Sequence, residues 1–163
     1  MTTKSDYNEQ EWESLLQTPI LAGSYIIISD ISVTAMPREM KGLYKALMAQ
    51  DAPADAEQLV AAVVADLVKK TEGKENLEQI ALDDNQDPRP QILELLKHSL
   101  SVLDEKSDPG EKAAFSTWLI KVAQATAEAG REGGFLGIGS VRVSEQEKAA
   151  LAELQQAFGL ENG

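Results

Sequence analysis

Apolar residues recur along most of this chain three and four positions apart, the spacing that lines one face of an α-helix. Met40, Leu43, Tyr44, Leu47 and Met48 carry it clearly and predict a helix over about 37–49 with one face in the core. Val60, Val63, Val64 and Leu67 predict a helix over about 53–70 that stops near Gly73. Ile92, Leu96, Leu100 and Leu103 predict one over about 88–105, and Phe115, Trp118, Leu119 and Val122 one over about 109–129. Pro19, Pro53, Pro88 and Pro109 each sit where a helix can begin, because a proline in the first turn gives up no hydrogen bond and has a preset φ. Trp12, Leu15 and Leu16 then belong to a short helix over about 8–17, and a second helix runs from Pro19 to about 31. The β-branched run in Tyr25-Ile26-Ile27-Ile28 also fits a strand, in which case 25–33 could pair with 135–143. A short helix fits 74–82. The last helix opens on the capping box of Ser144 and Glu147 and ends at Gly159.

That makes seven or eight helices, and no pair of alternating strands is joined by a tight-turn signal. The expected fold class is therefore all-α, one compact bundle spanning 1–163, with a glycine-rich loop at 130–143.

Composition narrows the function. The 163 residues carry 27 Asp plus Glu against 15 Lys plus Arg, a formal charge of −12. This balance repels a phosphate backbone, so nucleic-acid binding is not expected, nor is docking to anionic lipid. It favours cations or basic partners. Cysteine is absent, which removes disulfides, thiolate nucleophiles and thiolate metal sites. Residues 1–18 lack the basic start and apolar core of a secretory signal, and the apolar stretch 19–36 contains Asp30, so no membrane insertion is expected and the cytoplasm is the expected location.

A second pattern is a weak internal two-fold repeat. In each half an apolar helix ends near an acidic residue, Asp30 or Glu128, and an amphipathic helix follows with Glu39 or Glu147 in its first turn. Carboxylates at helix C-termini oppose the macrodipole, so helix energetics alone does not favour Asp30 and Glu128 there. The layout resembles the TerB-like tellurite-resistance family through Ile26-Ile27-Ile28-Ser29-Asp30 with Glu39, and through 123–128 with Val143-Ser144-Glu145-Gln146-Glu147. It departs at Ile31, where the family prefers glycine, at Met36, which replaces a capping hydroxyl, and in the segment inserted after Glu128. The resemblance implies an all-helical acidic module tied to tellurite or chemical stress, without an established reaction, that binds a metal ion or a protein.

If the two halves pack about a pseudo-twofold axis, Asp30, Glu39, Glu128 and Glu147 converge as hard oxygen ligands for Ca²⁺, Mg²⁺ or Mn²⁺, and a metal-held water would make hydrolysis available. Otherwise Glu39 and Glu147 cap helices while Asp30 and Glu128 face solvent. Asp83, Asn85, Asp87 and Glu94 imitate a calcium loop, but Pro88 stands where that loop needs glycine, so Asp87 reads as a helix cap. His98, four residues after Glu94, reads as an i,i+4 partner. The glycines between 130 and 139 lack the Gly-Lys-Ser/Thr of a phosphate loop; instead Phe135 and Leu136 close over the core or meet a protein partner, which includes a second copy of the chain.

Overall fold

The computed structural model describes residues 1–30, 43–45, 47–48, 51–73, 80–129 and 143–160. Five α-helices have described ends: α1 (Glu9–Ser29), α2 (Glu57–Glu72), α3 (Pro88–Lys106), α4 (Pro109–Ala129) and α5 (Glu145–Ala157). Residues 43–45 and 47–48 are also helical, which makes six helices among the described residues rather than seven or eight. Short 3-10 turns at Lys4–Asp6 and Ala54–Ala56 precede α1 and α2. No described residue is in a strand, so the strand option for Tyr25 to Ile28 is replaced by helix. Residues 80–82 are not helical, whereas the remainder of the helix expected at 74–82, 74–79, lies outside the described residues.

The helix count falls mainly because 8–17 and 19–31 are one helix. Pro19 lies inside α1 and is buried. A proline there removes the N–H that would bond the Leu15 carbonyl. Thr18, also buried, supplies the missing donor: its hydroxyl donates to the Leu15 oxygen at 2.7 Å. The proline signal was therefore ambiguous, since the residue before it both suits a helix start and repairs a helix interior. Thr18→Val should lower the unfolding free energy by about 1–3 kcal/mol, the range for a buried carbonyl left without a donor. Thr126→Val is the control. Its hydroxyl donates to the Val122 oxygen at 2.8 Å, a carbonyl that the helix's own i,i+4 bond already serves, so denaturant titration should show a smaller loss.

α1 is the centre of the molecule. Trp12, Leu15, Leu16, Leu21, Tyr25 and Ile26 are all nearly inaccessible and point in several directions, as in a helix enclosed by neighbours rather than resting on them. It packs on α4 and α3 most extensively, and also on α5 and α2. α4 is the second buried element, with Phe115, Trp118, Leu119 and Val122 fully enclosed. Its tilted Phe115–Trp118 ring pair, 5.5 Å between centroids, fills the core with few aromatics.

The helix ends follow local chemistry. Asn8 and Glu11 form a capping box at α1, as Ser144 and Glu147 do at α5. Asp87 caps α3 by accepting from the Arg89 N–H at 3.0 Å, with Pro88 in the first turn, as the sequence implied. Gly159 takes φ +70°, and the bonds from Gly159 to Gln156 and from Leu160 to Gln155 complete a Schellman closure of α5.

Candidate functional site

Leu43, among the helical residues 43–45, packs against α1 at Gly23. A Cβ added there would stand 2.3 Å from Leu43 Cδ1, so a larger residue would force the Leu43 side chain to shift. Leu43 and Leu47 are both buried, at 1% and 6% exposure. Tyr44 and Met48, expected on the same core face, are 49% and 65% exposed. The face is therefore split: positions 43 and 47 point into the core, and positions 44 and 48, about 100° further round the helix, do not.

Beside Tyr44 and Met48 runs a groove of about 240 Å³. Tyr44, Leu47 and Met48 form one wall, Val64, Leu67, Val68 and Thr71 of α2 form the other, and Ile20 of α1 contributes between them. Glu72 is the sole charged side chain among its described lining residues. Tyr44 and Met48 are two of the three large hydrophobic residues exposed among the described residues, the third being Met1. Contiguous exposed apolar surface, rather than single exposed side chains, is what marks a contact.

Three of the four acidic residues expected as metal ligands are described, each at the end of a helix. Asp30 is the C-cap of α1, Glu128 is exposed in the last turn of α4, and Glu147 is buried in the capping box of α5. Glu128 accepts a bond from Gln124 at 3.1 Å. Glu39 lies outside the described residues, as do Phe135 and Leu136. Among the described residues no group of three or more His, Cys, Asp or Glu is arranged to hold a metal ion. The described residues also contain no helix long and apolar enough to cross a membrane.

Two polar clusters went unnoticed in the sequence. In the first, the buried Tyr25 hydroxyl donates to Glu153 Oε2, which also accepts from the Arg89 guanidinium at 2.7 Å. The guanidinium carbon lies 5.3 Å from the Tyr25 ring centroid, so α1, α3 and α5 are tied at one point. Burial pushes the Tyr25 phenol above its ordinary 10.0; the bond to Glu153 adds to the rise and Arg89 opposes it. A raised folded value means that the neutral phenol stabilises the fold fully below pH 10 and that this contribution is lost as pH rises through the folded value. The Tyr7 phenol is raised in the same direction, again by burial first. Tyr25→Phe should cost about 1 kcal/mol at neutral pH. It should also lessen the alkaline loss of stability, read as the slope of unfolding free energy against pH above 10.

In the second cluster, Glu111 of α4 is 1% exposed and holds the second residue of the chain. The Thr2 N–H reaches its Oε1 and Oε2 at 2.8 and 3.0 Å, and the Thr2 hydroxyl donates to Oε1 at 3.0 Å. The Tyr7 and Thr2 hydroxyls are 2.6 Å apart. Nearby, Lys4 and the Trp12 indole both donate to Asp66, and Lys106 pairs with Glu11. Both clusters join residues far apart in the chain, an arrangement suited to holding helices in place. Compared with protein-family models, curated proteins and solved structures, the chain finds no match.

Proposed function

We propose that the chain is a non-enzymatic helical module that acts by binding a protein partner in the groove between the 43–48 segment and α2. The observation that carries this reading is the exposure of Tyr44 and Met48 along an apolar groove, on a helix whose Leu43 and Leu47 are fully packed. Covering such a surface removes apolar area from water at about 25 cal/mol per Å², the usual source of association energy. A setting in tellurite or chemical stress belongs to the same proposal. Its support is the TerB-like layout, with Asp30 closing α1 and the Ser144–Glu147 box opening α5.

The absence of cysteine allows a direct test, because a single introduced thiol is labelled uniquely. Met48→Cys and, as a control on the exposed surface of α3, Glu105→Cys would each carry a photocrosslinker. A protein adduct formed from position 48 and missing from position 105 is the expected result. The same adducts from both positions would show ordinary surface collisions and sink the proposal.

A further inference from the structure

Thr2 is held as a ligand is held, although its neighbour Met1 is not: Thr2 is 7% exposed and Met1 67%. The Thr2 nitrogen stands 2.8 and 3.0 Å from the two carboxylate oxygens of the enclosed Glu111. Its hydroxyl lies 3.0 Å from Oε1 and 2.6 Å from the Tyr7 hydroxyl. Capping of α4 does not occupy the Glu111 carboxylate, since Asp108 accepts from the Glu111 N–H at 2.9 Å. Inside a chain, a peptide nitrogen carries one hydrogen, which here is divided between two oxygens in a three-centre bond. An α-ammonium at the same nitrogen has three hydrogens and gives each oxygen its own. The third takes the place of the bond to Met1, on the side that leads out to an exposed residue.

Charge points the same way. A carboxylate at 1% exposure is costly unless a cation compensates it or donors satisfy it fully. The lysines of the N-terminal segment and of the α3–α4 junction are engaged elsewhere: Lys4 pairs with Asp66, Lys106 with Glu11 and Lys112 with Asp104. We propose that Glu111 is the seat of a free α-ammonium on Thr2, produced when the Met1–Thr2 peptide bond is hydrolysed. Water gives its oxygen to the Met1 carbonyl carbon as the carbon–nitrogen bond breaks. Both water protons end on the Thr2 nitrogen, which leaves a methionine carboxylate and a threonine ammonium. The new terminus is the same whatever stands before Met1. A peptidase that removes methionine ahead of small side chains is the class of catalyst required. It acts before folding, because Glu111 lies 109 positions further on and is made on the order of ten seconds later.

Two measurements on the full chain test this. Intact-mass spectrometry of the chain expressed with Met1 should find it lighter by one methionine; complete retention of Met1 overturns the processing. Thermal melts then compare three forms: one released from a fusion partner directly before Thr2, one that keeps Met1, and one that starts at Thr2 but is acetylated on its α-nitrogen. The free Thr2 form should melt about 3–6 °C above the other two, which both carry an uncharged nitrogen at that position. Equal melting of all three overturns the ammonium's role. So does an acetylated form as stable as the free one, which would trace the gain to loss of Met1 instead of charge. In Glu111→Gln the three forms, compared only with one another, should melt together; a gain for free Thr2 that persists there overturns the assignment to Glu111. If that variant does not fold, the acetylated form still decides between charge and its absence.

Discussion

Trp118→Ala should lower the unfolding free energy by about 3–5 kcal/mol, the usual cost of emptying an aromatic site in a core. Trp118 is fully buried in α4 and pairs with Phe115, so its removal opens a cavity and breaks a ring contact worth about another 0.5–1.5 kcal/mol. Against a typical total of about 5–15 kcal/mol, this single change takes a large share of the stability. In a thermal melt it corresponds to a drop of about 6–20 °C for a chain of this size. Trp118→Phe separates the parts of that cost. The indole N–H is buried without a hydrogen-bond partner among the described residues, and an unmade buried donor costs about 1–3 kcal/mol. Phenylalanine loses volume but also removes that donor, so denaturant titration should show well under half the loss of the alanine variant. Equal losses would mean that the retained ring restores nothing, and would overturn this expectation.

Glu111→Ala is expected to cost about 3 kcal/mol, because the carboxylate accepts from both the amide and the hydroxyl of Thr2, and bonds to a charged acceptor run at about 1.5–3 kcal/mol each. The loss has a ceiling. Once residues 2–7 detach, water satisfies their donors, and no more can be lost than the segment contributes. Amide exchange locates the effect: residues 2–7 should lose protection while α3 and α4 keep most of theirs. Glu111→Gln should rescue little, since one side-chain oxygen becomes an NH₂ group that faces the Thr2 N–H. Full stability in Glu111→Gln would show that the carboxylate charge is not needed.

The amphipathic helices were legible because their spacing is a local property. α3 and α4 follow from Ile92 to Leu103 and from Phe115 to Val122, and their proline starts and the Asp87 cap fall where the sequence implied. Pro19 misled because a proline marks a helix start in one context and is tolerated inside a helix in another, and the deciding bond from Thr18 to Leu15 is visible only in three dimensions. The Thr2–Glu111 contact spans 109 positions, and Glu111 in the first turn of a helix looks like ordinary dipole chemistry. Periodicity placed Tyr44 and Met48 on the core face with Leu43 and Leu47, and the structure leaves them exposed, because spacing does not say which part of an apolar face the rest of the chain covers. That depends on where α1 offers Gly23.

Placing the central helix first has a consequence for biosynthesis. α1 needs Arg89 of α3, the enclosed face of α4 and Glu153 of α5 around it, and Tyr25 precedes Glu153 by 128 positions. At about 5–20 residues per second, the ribosome releases those partners on the order of ten seconds after α1 emerges. For that interval Leu15, Leu16, Ile26 and Ile27 have no complete shelter, so the nascent chain presents a greasy, chaperone-attracting segment until its last helix is made. A variant truncated before α5 should therefore be a far stronger holdase client than the whole chain.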